Sequence, residues 1–215
     1  MTLSEIAAAC RSKGLEIAGA FHSQPKDDLP TDCQTLVMLC PREPGFWARI
    51  EAEPEFTGPN PIDRWSERVI GQLAHDCDAL PLFPFGGPPY QPFVRWAFRT
   101  GRVWQSPVSL MVHNKMGLFL SFRGALAFHQ RLDLPEADNP SPCERCDDKP
   151  CLTACPASAL TGRGYDLAAC HDFLDGAEGK DCLNAGCAVR RACPVSQGYG
   201  RLERQSAHHM RYFHK

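Results

Sequence analysis

The cysteines between Cys143 and Cys193 constrain this chain more than any other feature. They fall in two blocks. The first runs Cys143-x2-Cys146-x4-Cys151-x3-Cys155 and is followed by Pro156. The second runs Cys182-x4-Cys187-x5-Cys193 and is followed by Pro194, with Cys170 alone between the blocks. Eight of the twelve cysteines are packed into this stretch. So many soft donors at such short spacing describe a cage, and the surrounding chain must fold to hold it. Thiolate sulfur suits iron and tolerates redox change without leaving it. In a reducing compartment thiols stay unpaired, so dense cysteine there points to metal rather than to disulfides.

In modules that hold two iron–sulfur clusters, the cysteine before proline grips the opposite cluster. That rule divides the cysteines into two sets of four. Cys143, Cys146, Cys151 and Cys193 form the first; Cys155, Cys170, Cys182 and Cys187 form the second. Eight ligands then serve two [4Fe-4S] clusters with none left over. The middle gap of the first block departs from the compact spacing, with residues 147–150 filling it. Two structural zinc sites of four cysteines each are the alternative. Four cysteines within thirteen residues and two Cys-Pro steps favour iron–sulfur. Cys10, Cys33, Cys40 and Cys77 read as small core or loop residues.

The rest of the chain must accommodate that cage. Its 215 residues, 43% hydrophobic, are enough for one domain or for a domain with a small module. A net charge of −2 makes no case for nucleic acid as a partner. No apolar run reaches the ~20 residues of a membrane span, and MTLSEIAAACRSKG is not a leader. The expected location is cytoplasmic, with redox proteins as partners.

Thr2 and Glu5 spell a capping box before a helix that Gly14 stops. Residues 15–21 read as a strand, and 35–40 as a strand buried on both faces. Residues 45–53 read as a short helix. Asn60-Pro61 opens the clearest helix, with Ile62, Trp65, Val69, Ile70, Leu73 and Cys77 on one stripe. Residues 79–85 carry two prolines and read as an edge strand; 92–101 reads as a helix. Residues 109–113 and 118–128 flank Asn114-Lys115-Met116-Gly117, a hairpin signature. Residues 129–142 read as a linker, and the tail as a short helix packed on the cysteine module. The expected fold is α+β: an N-terminal α/β domain with a mixed sheet over residues 1–135, then a small ferredoxin-like module over 136–215.

The stretch from Trp96 to Cys193 resembles epoxyqueuosine reductases, cobalamin-dependent enzymes with a bacterial-type two-cluster module. WAFRTGRVWQSPVSLMVHNKMGLFLSFRGAL matches that family's helix, glycine turn, strand, turn and second strand beside the corrin. GYDLAACHDFL resembles its segment with the lone cysteine, and the order of the eight cysteines also agrees. The Phe122-Arg123-Gly124 hairpin and the helix PIDRWSERVIGQLA resemble the cobalamin-trafficking and decyanating proteins of the CblC type. The resemblance implies a corrinoid-reductase-type domain, with Arg123 near a cofactor or a thiol co-substrate. Where the reductases carry their catalytic aspartate, this chain reads PLFPFGGPPYQPF, with no carboxylate. Epoxide reduction is therefore not carried over, and no catalytic residue is assigned.

Other features have competing readings. Gly86 and Gly87 would let backbone approach a flat cofactor such as cobalamin or another corrinoid; a rigid Pro-Gly turn is the alternative. Arg123 needs a partner, either an internal carboxylate or an anionic ligand. His113 is a corrin-metal ligand or a surface imidazole. His208, His209 and His214 read as solvated or packed histidines. Arg190 and Arg191 either offset the charge of an iron–thiolate centre or form a solvated pair. Three functions follow: an iron–sulfur electron-transfer protein serving an acceptor at the N-terminal domain or on a partner; a cobalamin-dependent oxidoreductase or cobalamin-processing enzyme; or a zinc-stabilised binding module.

Overall fold

The computed structural model describes residues 1–136 and 140–215. Along the first half run α1 (Leu3–Ser12), β1 (Leu15–His22), β2 (Thr35–Pro41), α2 (Phe46–Ala52), α3 (Pro61–Asp76), β3 (Ala79–Leu82) and α4 (Phe93–Arg99). Three strands follow: β4 (Val103–Gln105), β5 (Met111–His113) and β6 (Gly124–Phe128). The C-terminal part carries the short pair β7 (Leu160–Thr161) and β8 (Gly164–Tyr165). It also carries α5 (Leu167–Asp175), α6 (Lys180–Ala185), α7 (Ala188–Ala192), α8 (Pro194–Gln197) and α9 (Glu203–Phe213). The architecture is α+β. Among the described residues no helix is long and apolar enough to cross a membrane.

The chain divides into two compact units. One is Met1–Arg102 with Ser121–Asn139; the other is Val103–Leu120 with Pro140–Lys215. The division is not a single cut near residue 135, because Val103–Leu120 belongs with the cysteine-bearing part. The reason is packing. Val108, Val112 and Leu118 are buried in one core with Cys151, Leu160, Val189 and Cys193. Residues 137–139 of the expected linker lie outside the described residues.

In the first unit, α1 starts where Thr2 and Glu5 cap each other: the Thr2 amide donates to Glu5 Oε2 at 2.7 Å, and the Glu5 amide donates to Thr2 Oγ1 at 3.3 Å. Ile6 and Cys10 form its buried edge. Every residue of β2 is buried, which its unbroken apolar run requires. α3 buries Ile62, Trp65, Val69, Ile70 and Leu73. Each large apolar side chain so buried contributes about 1.5–3 kcal/mol.

The sheet has the order β1-β2-β6-β3, and every neighbouring pair is antiparallel. The expected mixed sheet is therefore corrected. α2 and α3 do return the chain so that β3 runs in the same direction as β2. β6 inserts between them, antiparallel to both, so no parallel pair forms. β3 lies at the edge, where Pro81 leaves no partner wanting its missing N–H. Gly124 lets α3 approach this sheet: a Cβ there would lie 2.8 Å from Ile70 Cδ1.

The expected hairpin between 109–113 and 118–128 is also corrected. β5 pairs with β4, while β6 joins the sheet of the other unit. A bridge between His113 and Gly117 closes the Asn114–Met116 turn. Gly117, at φ +58°, supplies the left-handed turn residue. In the second unit α9 packs against α6, the helix that carries Cys182.

Candidate metal centre

Short, tightly capped pieces of chain present the eight cysteines. The Ser141 hydroxyl accepts from the Cys143 amide at 3.3 Å, opening a 3-10 turn over Pro142–Arg145. A second such turn, Pro150–Leu152, carries Cys151. The Asp166 side chain accepts from the Ala169 amide at 3.0 Å and starts α5, which carries Cys170. Gly186, at φ +95°, ends α6 and sends the chain to Cys187, the residue before α7. Cys193 caps α8, whose first residue is Pro194. Proline at this position starts a helix without wasting an N–H. It leaves the preceding cysteine extended and outside the helix, at φ −67° and ψ 122°.

All twelve cysteines are free thiols. Cys151, Cys182 and Cys193 are buried and the other five of the array half-buried. Burial and nearby thiols both act on their ionisation. Burial pushes the Cys151 thiol up, and Cys143, Cys193 and Cys146 add to the push. Burial likewise raises Cys143; the Ser141 hydroxyl opposes it, while Cys193 and Cys146 reinforce it. In the second group burial raises Cys170, opposed by the Tyr165 hydroxyl and reinforced by Cys187 and Cys155. Burial raises Cys182, where the Ala188 amide opposes the effect and Cys187 reinforces it. Cys151 and Cys193 are buried in one core, and Cys143, Cys155 and Cys187 pack against it.

The donor chemistry fits two iron–sulfur clusters. All eight side chains are thiols, and none is lost to a disulfide. Polar hydrogens also reach the sulfurs: the Ala159 amide donates to Cys155 Sγ at 3.3 Å and the Tyr165 hydroxyl to Cys170 Sγ at 3.4 Å. Val108, Val112, Leu118, Leu160 and Val189 form an apolar core with Cys151 and Cys193, against which Cys143, Cys155 and Cys187 pack. Among the described residues no group of three or more His, Cys, Asp or Glu is arranged to hold a metal ion.

The two arginines near Cys187 have different surroundings. Arg191 Nε donates to the Gly186 carbonyl at 3.0 Å, and its Nη2 pairs with Asp181. Arg190 Nη1 donates to the Leu118 carbonyl, and burial presses its pKa down while Cys187 and Tyr165 oppose that. Leu118 is itself anchored, since its amide donates to Ser196 Oγ at 2.8 Å.

The residues singled out in the first unit have partners within their own fold. A Cβ on Gly87 would lie 2.7 Å from the Pro89 carbonyl carbon and 2.8 Å from the Tyr90 ring, so the loop fills that space itself. Gly86, at φ +84°, faces nothing within 4 Å. Arg123 lies one residue before β6 rather than inside a strand. Its Nη1 donates to Asp63 Oδ1 at 3.3 Å, so an internal carboxylate is its partner. Burial pushes the Arg123 pKa down and Asp63 opposes this.

His113 is not on the surface; it is 2% exposed, and its Nδ1 accepts from the Lys115 and Met116 amides at 3.0 and 3.2 Å. His214 pairs Nδ1 to Nδ1 with His171 at 2.8 Å and reaches Asp175 through Nε2 at 3.1 Å. The His208 ring lies tilted against Tyr212, and burial lowers its pKa. Sequence reasoning missed Tyr165, although it stands five residues before Cys170. It also missed the buried ion pair between Asp27 and Arg99 at 2.8 Å, because its members lie 72 residues apart.

Comparison with protein-family models, with curated proteins and with solved structures finds no match for this chain.

Proposed function

We propose that this chain is an iron–sulfur electron-transfer protein of the cytoplasm that holds two [4Fe-4S] clusters. Cys143, Cys146, Cys151 and Cys193 hold one; Cys155, Cys170, Cys182 and Cys187 hold the other. The clusters supply one-electron redox chemistry. The gathering of free thiols from both blocks around one core, Cys151 and Cys193 within it and Cys143, Cys155 and Cys187 against it, supports the reading. That shared core ties cysteines of both proposed sets into one scaffold, which a pair of independent metal knuckles does not need. The apolar core lowers the local dielectric, and the donors on Cys155 and Cys170 stabilise negative charge on sulfur. The free thiols suit a reducing compartment. A redox partner protein is the proposed source or destination of the electrons.

Anaerobic reconstitution with iron and sulfide tests this directly. About eight irons and eight sulfides per chain are expected from two thiolate-held clusters. Cys170→Ser is expected to remove one cluster and spare the other. Zinc bound without sulfide would replace the reading with the zinc-stabilised module. A spectral change on titration with cobalamin would extend it to a corrinoid oxidoreductase.

A further inference from the structure

Three exposed apolar side chains of the cysteine-bearing unit gather at one proposed cluster ligand. Tyr165 is 38% exposed, Leu167 51% and Phe213 38%. The Tyr165 hydroxyl donates to Cys170 Sγ at 3.4 Å, and its ring stacks with Phe213 at 6.3 Å between centroids. Phe213 also stacks with His171 at 4.7 Å. Leu167 opens α5 and stands three and four residues before Cys170 and His171, so the three share one helix face. A contiguous apolar group at the surface marks a place where another molecule docks. The charge beside it is one-sided. Ala168, Asp172 and Asp175 lie along the exposed face of α5 at i, i+4 and i+7. From Arg163 to Glu178 the chain carries four carboxylates against one basic residue, and all five are exposed. Lys180 and Asp181, next in line, cancel each other. The cations of α9 do not offset the excess. Arg211 stands two residues before Phe213, on the opposite side of the helix, and Lys215 Nζ sits over the Tyr212 ring at 4.2 Å.

We propose that this face is the docking surface for a one-electron carrier protein that presents an apolar patch ringed by lysines and arginines. The inference rests on the iron–sulfur reading above. A cluster held among thiols meets a partner only through the side chains that cover it. Tyr165 touches both a ligand sulfur and the surface, so a carrier seated on its ring comes close to the cluster without entering the core. The aromatic centre excludes water from the contact, and the carboxylates of α5 attract and orient a basic carrier. One electron passes between carrier and cluster. The one that gives it up is oxidised, the other is reduced, and no bond forms or breaks.

A basic c-type cytochrome serves as the probe, with the full chain reconstituted, its iron and sulfide counted and its clusters reduced. Carbodiimide joins lysines to carboxylates in contact with them. Mass spectrometry of the linked pair is expected to place the links at Asp166, Asp172 and Asp175. Stopped-flow oxidation of the chain by the cytochrome is expected to slow about tenfold or more as ionic strength rises from about 0.01 to 0.3 M. At low ionic strength Leu167→Lys is expected to slow it by about tenfold, with iron and sulfide at the wild-type count. Val94→Lys makes the same change of charge at an exposed residue of α4 and is expected to stay within about twofold. Links confined to other carboxylates overturn the inference, as does a loaded Leu167→Lys chain no slower than Val94→Lys. A wild-type chain that is dimeric by light scattering and becomes monomeric as Leu167→Lys assigns the face to a second copy, which also overturns it. Should Leu167→Lys fail to load, the links of the wild type decide. A wild-type chain without iron and sulfide sinks the underlying reading, and this one with it.

Discussion

Cys10 shows how burial alone sets the behaviour of a residue. It is fully buried, and burial pushes its thiol up to about 12, with Cys77 adding to the push. The folded pKa lies above the unfolded value near 8.5. The resulting stability is complete below about pH 8.5 and is lost as pH rises towards 12. The loss is on the order of a few kcal/mol. Melting temperature measured across this range is expected to fall, and Cys10→Ala is expected to flatten the fall. Arg123 poses the converse problem, a buried charge that depends on a single carboxylate. Asp63→Asn removes that partner. Losing a partner in a fully buried pair costs about 3–5 kcal/mol, but Asp63 is 39% exposed and water screens its contribution. A loss of about 1–2 kcal/mol is expected from urea unfolding. No change would mean that the Arg123 charge is balanced elsewhere.

Among the elements, the turn from His113 to Gly117 depends most on one residue. Gly117 has a left-handed φ, and a Cβ there would lie 2.4 Å from the Ser196 amide nitrogen and 2.5 Å from its hydroxyl. Gly117→Ala therefore strains the backbone and displaces Ser196, which anchors the Leu118 amide. A destabilisation of about 2–4 kcal/mol is expected in urea unfolding. Gly71 is the contrast. It sits inside α3 with nothing within 4 Å of the place a Cβ would occupy. Gly71→Ala is expected to stabilise the chain by about 0.5–1 kcal/mol, because alanine loses less backbone freedom in a helix. Destabilisation by this change would show that α3 needs its glycine for another reason.

For the whole molecule, the interleaving of the two units has a direct consequence. A fragment of residues 140–215 contains every cysteine of the array but lacks Val108, Val112 and Leu118. These three are buried to within 1% in the core beside Cys151, Val189 and Cys193. Without them that core opens to water, at a cost of several kcal/mol against a typical total of 5–15. The fragment is expected to be unfolded by circular dichroism and to take up little iron. A fragment of residues 103–215 is expected to do better on both measures. Stable folding of 140–215 alone would show that the segment 103–120 is dispensable.

Local chemistry made much of this legible in the sequence. The Thr2–Glu5 cap, the stripe of α3, the buried run of β2 and the edge character of β3 all depend on residues within a few positions of one another. The cysteine blocks are legible as blocks for the same reason. The antiparallel sheet was not, because it depends on β6 arriving between β2 and β3 from a distant part of the chain. The hairpin misled because the turn before it is real while its second strand pairs elsewhere. Identical neighbours in sequence, Arg190 and Arg191, differ only in what the fold sets beside them: a carbonyl for one, a carboxylate for the other. Short-range propensity belongs to the sequence. Which remote groups share a desolvated space, and so which charges must be balanced there, belongs to the tertiary structure alone.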